Sequence, residues 1–214
     1  MYNLPYFKEN NVDVVKEFIR KHPFAFLCGV DKDQKPVATQ IPVFIDERDG
    51  KIYLFGHMMR KTDHHLAFEQ NSSVLAVFTS AHTYVSASWY TDPQQGSTWN
   101  YMSVHAKGKL RFLNEEELKN ILRRTTNHFE NNPYSPANFE NLPQEYVDRM
   151  VKAIIAFEIE VQEMDNVFKL SQNRDEKSFD NIKEKLERQN ESGKFISVEM
   201  EKRRGDLFGG NEEN

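Results

Sequence analysis

Apolar residues recur at helical spacing in a few stretches of this chain and alternate with polar ones in many more. Val12, Val15, Phe18 and Ile19 lie three or four apart behind the capping residues Asn10 and Asn11, and Pro23 stops the pattern. That predicts a helix of about three turns over residues 11–21. From Phe24 the period changes. Phe24–Val30, a polar turn over 31–35, and a run over 37–46 with Val37, Thr39, Ile41, Val43 and Ile45 on one face read as a strand pair. Asp49-Gly50 then separates this run from residues 51–57, where Ile52 and Leu54 alternate with Tyr53 and Phe55. Asp-Gly between alternating runs is a strong hairpin signal.

Further along, the pattern predicts a short helix over 62–70, strands over 73–79 and 83–88, and a polar loop over 91–97. A strand over 101–112 follows, with Val104, Ala106, Gly108, Leu110 and Phe112 on one face. Asn114 with Glu117 is a capping-box signature for a helix to about Phe129, and Pro143 opens another to about Ala153. A last strand is expected over 154–162. Beyond Asp175, Ile182 and Leu186 stand almost alone among Lys, Glu and Asn. The expectation there is one lightly anchored amphipathic helix, then a frayed charged tail over 199–214. Six or seven short strands with helices inserted rather than alternating predict a mainly β fold, an antiparallel barrel with peripheral helices. The expected division is 1–174 for the barrel domain and 175–214 for the C-terminal helix and tail. Binding sites on such a barrel lie at a mouth, an outer groove or a subunit interface.

Composition narrows the class. The 214 residues suffice for one core with additions. No apolar run approaches the roughly 20 residues of a membrane span, and the first residues lack the basic-then-apolar pattern of a secretory signal. The expected compartment is the cytoplasm. Cys28 lies in the apolar run Phe24–Val30 and reads as a core residue. With 28 Lys and Arg against 33 Asp and Glu, the net charge of −5 gives no global attraction to a polyanion. The 16 Phe, 8 Tyr and 2 Trp are clustered, the first hint of a flat ligand.

Tyr84-Val85-Ser86-Ala87-Ser88-Trp89-Tyr90, with Thr98-Trp99-Asn100-Tyr101 beyond a polar loop, combines aromatic walls with hydroxyl and amide groups. A planar heterocycle needs that combination of stacking area and hydrogen bonds at its rim; aromatic packing across a subunit interface is the competing role. Gly56-His57-Met58-Met59-Arg60-Lys61-Thr62-Asp63 sets two cations and a hydroxyl at a predicted helix start, where a phosphate is favoured by charge and dipole together. Phe168-Lys169-Leu170-Ser171-Gln172-Asn173-Arg174 suits a ligand-contacting loop or a polar connector. His64 and His65 are adjacent on a predicted helix and diverge too far to chelate one ion, and no Ser-His-Asp or Cys-His set can be assembled.

The opening Met1-Tyr2 to Phe7, Gln40-Ile41-Pro42, Gly56-His57, the two aromatic motifs, Val104-His105-Ala106-Lys107-Gly108 and Lys169-Leu170-Ser171-Gln172-Asn173-Arg174 together resemble the PaiB family, described as FMN-binding negative transcriptional regulators. The likeness runs in order from Met1 to about Leu186. It implies a six-stranded antiparallel split β-barrel of Greek-key type, two protomers, and FMN at or near their interface. Where the family carries Pro in its Tyr-Val-Ser-Pro-Ser-Trp-Tyr motif, this chain has Ala87.

On that resemblance the phosphate is expected at Arg60, Lys61 and Thr62, the ring against Trp89, Tyr90 and Trp99, and polar contacts from Gln40, His57, Asn100 and Gln172. If the protein turns over a substrate, it is an FMN-dependent oxidoreductase in which the protein supplies position and electrostatics. A role in transcription comes with the family's description alone. The chain shows no helix-turn-helix pattern, and its one basic run, Lys202-Arg203-Arg204, is offset by Glu199, Glu201 and Asp206. A third reading replaces FMN by haem, with His57 or His105 as axial ligand, or by a deazaflavin.

Overall fold

The computed structural model describes residues 1–209. Helix α1 (Val12–Lys21) precedes three antiparallel strands, β1 (Phe24–Val30), β2 (Pro36–Arg48) and β3 (Lys51–Met59). After α2 (Asp63–Gln70) come β4 (Ser73–Val85) and β5 (Thr98–Phe112), then α3 (Glu115–Glu130), α4 (Gln144–Ala153) and β6 (Ile154–Lys169). Two helices, α5 (Glu176–Glu187) and α6 (Glu191–Phe208), end the described chain. The strands close a barrel in the order β1-β2-β3-β6-β5-β4. This six-stranded, Greek-key order is the split barrel that the resemblance implied.

Local chemistry explains the joints. At the β2–β3 turn Asp49 and Gly50 both take positive φ, 52° and 72°, the geometry that matches the twist of a two-residue hairpin. Asn114 and Glu117 form the reciprocal capping box that starts α3. Gly108 is needed because a Cβ there would lie 2.2 Å from the Glu160 carbonyl oxygen.

Two compact units emerge from the contacts: residues 1–15, 79–104 and 165–209, and residues 16–78 and 105–164. In the second, Leu27, Val43, Leu54, Phe157 and Ile159 are fully buried on the inner sheet face. Phe55 and Ala156 are buried on the opposite face, under Leu118, Leu122, Val147 and Val151 of α3 and α4. Both faces of β3 and β6 are therefore apolar there, which is why β3 does not alternate cleanly. In the first unit, Phe179, Ile182 and Leu186 of α5 and Ile196 and Met200 of α6 are all fully buried.

The structure corrects several boundaries. The runs over 73–79 and 83–88 are one strand, β4, because Ser80 and His82 interrupt the apolar pattern but not the strand. Strand β6 continues past residue 162 to Lys169. The lightly anchored helix is two helices with a buried seam, and α6 remains helical through Phe208, where fraying was expected; residues 210–214 lie outside the described residues. Among the described residues no helix is long and apolar enough to cross a membrane.

Candidate functional site

In the unit formed by residues 16–78 and 105–164, β3 runs into α2 through Arg60, Lys61 and Thr62. The Arg60 backbone N–H donates to the Ala153 carbonyl and its Nε to the Ile154 carbonyl, both at 2.9 Å. These bonds anchor the turn to the start of β6 while Arg60 stays exposed. Lys61 takes φ 64°, in the left-handed region, and is also exposed. Thr62 is the N-cap of α2: its Oγ1 accepts from the His65 N–H at 3.4 Å and donates to the Met59 carbonyl at 3.0 Å. Among the described residues neither Arg60 nor Lys61 has a carboxylate partner. Asp63 is engaged by the His64 backbone N–H at 2.8 Å and the His64 ring at 3.0 Å, which hold its carboxyl below the usual range.

His57 sits between the inward Gly56 and Met58, so it occupies the outer face of β3, opposite Ala156. Burial lowers its pKa and keeps the imidazole neutral near pH 7. Gln40 of β2 is exposed and lies opposite Phe26, while Phe24 lies opposite Pro42. Phe24 and Phe26 are 58% and 42% exposed, so the outer face of β1 and β2 carries an uncovered apolar strip with one amide in it.

In the other unit, β4 and β5 set out the aromatic motifs. Trp99, half exposed, meets Tyr84 edge-on at 5.9 Å and His82 at 5.8 Å between ring centroids. Trp99 and His82 line two clefts. One, about 460 Å³, is completed by Thr83, Tyr84, Gln189, Asn190 and Ser192; the other, about 220 Å³, by Thr79, Ser80, Tyr101 and Met102. His82 was missed in the sequence because nothing about an isolated histidine on a strand marks it; its alternation with Tyr84 on β4 was the available signal.

Trp89 ends a single 3₁₀ turn, Ala87–Trp89, and is half-buried. The Ala87 backbone N–H donates to Ser97 Oγ at 3.0 Å, closing the loop between the two aromatic motifs; a proline at this position has no N–H to give. Tyr90 is buried, its hydroxyl without a hydrogen-bond partner among the described residues, and the Arg174 guanidinium carbon lies 4.1 Å from its ring centroid.

Asn100 is fully buried, with Nδ2 at 2.9 Å from Ser171 Oγ and 3.6 Å from Met200 Sδ. Gln172 Oε1 accepts from the Leu170 N–H at 2.7 Å and its Nε2 donates to the Phe168 carbonyl. Both amides thus bond within the protein, around a turn in which Ser171 takes φ 66°. The structure brings Arg60, Lys61 and Thr62 together at one helix start. It places Asn100 and Gln172 around one turn, and Trp99 beside His82 and Tyr84. Among the described residues no three His, Cys, Asp or Glu side chains cluster as metal ligands.

Residues 1–163 match a family model described as "Putative FMN-binding domain". The chain is 31% identical over 202 residues to "Protease synthase and sporulation protein PAI 2" of Bacillus subtilis (strain 168), a match covering 94% of this chain and 97% of that protein. Among solved structures, a "putative 5-nitroimidazole antibiotic resistance protein" from Bacteroides thetaiotaomicron VPI-5482 is similar at TM-score 0.55 and 17% identity, covering 74% of this chain and 84% of that one. The "FAD and Heme binding protein" from Mycobacterium smegmatis is similar at TM-score 0.54 and 15% identity, covering 76% and 73%. At these identities the two structures speak to the fold alone.

Proposed function

The chain belongs to the PaiB family of FMN-binding domains, and from that premise we propose that it is a flavoprotein holding FMN by its phosphate at the turn before α2. The observation that carries this reading is the Arg60-Lys61-Thr62 turn. Two exposed cations, without a carboxylate partner among the described residues, stand at a capped helix N-terminus whose remaining N–H groups and dipole favour an anion. The residues fit the group: a phosphate dianion meets two charges and a hydroxyl, and the Asp63 carboxylate is already held by His64. On the outer sheet face, Gln40 and the neutral His57 are the polar groups available to a ring edge. In the other unit, Trp99 with His82 and Tyr84 is a stacking surface for a planar heterocycle. Bound flavin supplies hydride or electron transfer; the chain's part is to bind, orient and exclude water.

The uncovered strip of Phe24 and Phe26 supports a homodimer joined through this face. A redox output is the reading we favour over direct DNA contact, because the one basic run is neutralised by its neighbours. Lys202 pairs with Glu199, Arg203 with Glu199 and Glu9, and Arg204 with Asp180 and Glu176, all within 3.4 Å. Little free positive charge remains there for phosphates.

The test is a visible spectrum of the purified protein with FMN and riboflavin titrations followed by flavin fluorescence. Saturable quenching by FMN is expected, and Arg60→Ala with Lys61→Ala should weaken FMN at least tenfold while leaving riboflavin nearly unchanged. Equal loss of both ligands moves the phosphate elsewhere, and a Soret band with no flavin binding replaces FMN by haem.

A further inference from the structure

In the turn over residues 168–174, the Gln172 amide bonds within the turn and the Ser171 hydroxyl bonds Asn100 of β5. Gln172 clamps Leu170 and Phe168, the Arg174 N–H donates to the Ser171 carbonyl at 3.0 Å, and Asn100 holds Ser171. The same turn carries two cations, Lys169 and Arg174. The Lys169 ammonium donates to Thr98 Oγ1 and lies 5.6 and 5.8 Å from the ring centroids of Tyr2 and Phe7. The Arg174 guanidinium covers Tyr90 and reaches Gln95 Oε1.

Among the described residues neither cation has a carboxylate partner, although the chain carries 33 acidic residues. The acidic residues close in sequence are engaged elsewhere: Asp165 pairs with Lys8 at 2.6 Å, Asp175 caps α5 and accepts from Thr91 and Ser178, and Glu176 pairs with Arg204 at 2.7 Å. The one charge that acts appreciably on Lys169 is Arg174, and this like charge adds to burial in lowering the lysine's pKa. Holding two partly desolvated cations near each other costs folding free energy, and the flanking ring faces offset only part of it. An anion between them would remove the cost.

We propose that Lys169 and Arg174 form a binding site for a phosphate-type dianion, with Thr98 as the neighbouring hydroxyl. Two positive charges match a dianion better than a single carboxylate, and a guanidinium fork with an ammonium and a hydroxyl can share its several oxygens. The phosphate group has two possible sources, the terminal phosphate of FMN itself or a separate phosphorylated small molecule. The site stands whether or not the α2 turn holds the flavin.

The experiment measures melting temperature and calorimetric affinity with inorganic phosphate, against chloride at equal ionic strength, then with FMN and riboflavin. It compares the wild type, Lys169→Met with Arg174→Gln, and Arg60→Ala with Lys61→Ala. Phosphate should raise the melting temperature of the wild type and of the α2 variant; the Lys169/Arg174 variant should keep at most the response that the α2 variant lacks, with affinity at the altered site at least tenfold weaker. If that variant also loses FMN but not riboflavin, the source is the flavin's own phosphate and the α2 assignment falls while this site stands. If its FMN affinity is unchanged, the source is a separate phosphorylated molecule. The proposal is overturned if phosphate has no effect on the wild type beyond that of chloride, or if wild type and folded Lys169/Arg174 variant respond alike. Should the double variant fail to fold, Lys169→Arg and Arg174→Lys keep the charges and must retain most of the response.

Discussion

Arg48 and Arg111 converge on Glu158, whose side chain is only 10% exposed; Arg111 reaches Oε1 through two nitrogens at 2.8 and 3.1 Å, Arg48 bonds Oε2, and the Arg48 guanidinium lies 4.0 Å over the Tyr53 ring. Lys169 and Arg174 have rings, a hydroxyl and an amide as partners but, among the described residues, no carboxylate. The first cluster is complete within the protein: two cations share one anion, and any further ligand would have to displace a bond. The second is built from the same kinds of group with the anion left out. Charge count alone would rank the two alike; only the partner inventory separates a structural cluster from a receptive one.

Removing the shared anion should turn the first cluster into a copy of the second. Glu158→Ala leaves two guanidiniums facing each other, and a loss of about 2–4 kcal/mol is expected in urea unfolding, below the figure for a fully buried pair because both arginines are half exposed. A loss under about 0.5 kcal/mol would mean that the carboxylate does not organise the cluster. Asn100→Ala is next in size. It leaves the buried Ser171 hydroxyl without its amide and loosens the turn that presents Lys169 and Arg174, at about 1–3 kcal/mol, together with weakened phosphate binding. Thr62→Ala, which removes the cap of the α2 turn, should cost about 1 kcal/mol and loosen FMN, with no effect on the phosphate response assigned to Lys169.

The smallest effect is the most diagnostic. Without phosphate, Lys169→Met should change stability by less than about 0.5 kcal/mol or raise it, because it removes a desolvated like charge. The lysine's folded pKa lies below its unfolded value of about 10.4. The folded state therefore holds its proton less tightly, and this contribution to stability is complete above the unfolded pKa and lost as pH falls through the folded one. The wild type should gain stability on titration upward through that window, and Lys169→Met should flatten that part of the profile. An unchanged slope would show that Lys169 is not the group responsible.

Much of the barrel could be read from the chain because its signals are local: the Asp49-Gly50 turn, the Asn114 and Glu117 box, and the alternation along β2. The parts that misled were those where burial comes from both sides or from distant chain. Phe55 breaks alternation because α3 covers the outer face of β3. The helix α6 has a weak stripe, and Gly193, Ile196 and Met200 become a buried seam only once α5 is beside them. At the site, residue type alone did not show which polar side chains are already bonded within the protein. Asn and Gln look like ligand-binding amides in any polar turn, yet the Asn100 and Gln172 side chains bond to neighbouring residues. Among the described residues the two cations of that run have no carboxylate partner, and no spacing rule distinguishes a paired lysine from an unpaired one.

The position of β6 between β3 and β5 also governs how the molecule can be made. Tyr53 pairs with Glu160, 107 residues later, since 160 − 53 = 107, so one edge of β3 has no partner until nearly three-quarters of the chain exists. At about 5–20 residues per second of synthesis, that edge waits roughly 5–20 s on the ribosome, far longer than hairpin formation, which takes microseconds. The β1-β2-β3 meander can form early but the barrel cannot close, and an open edge invites pairing with another nascent chain. The charge of Lys51 at the start of β3 opposes such pairing until Glu160 of β6 is made and becomes its ion-pair partner.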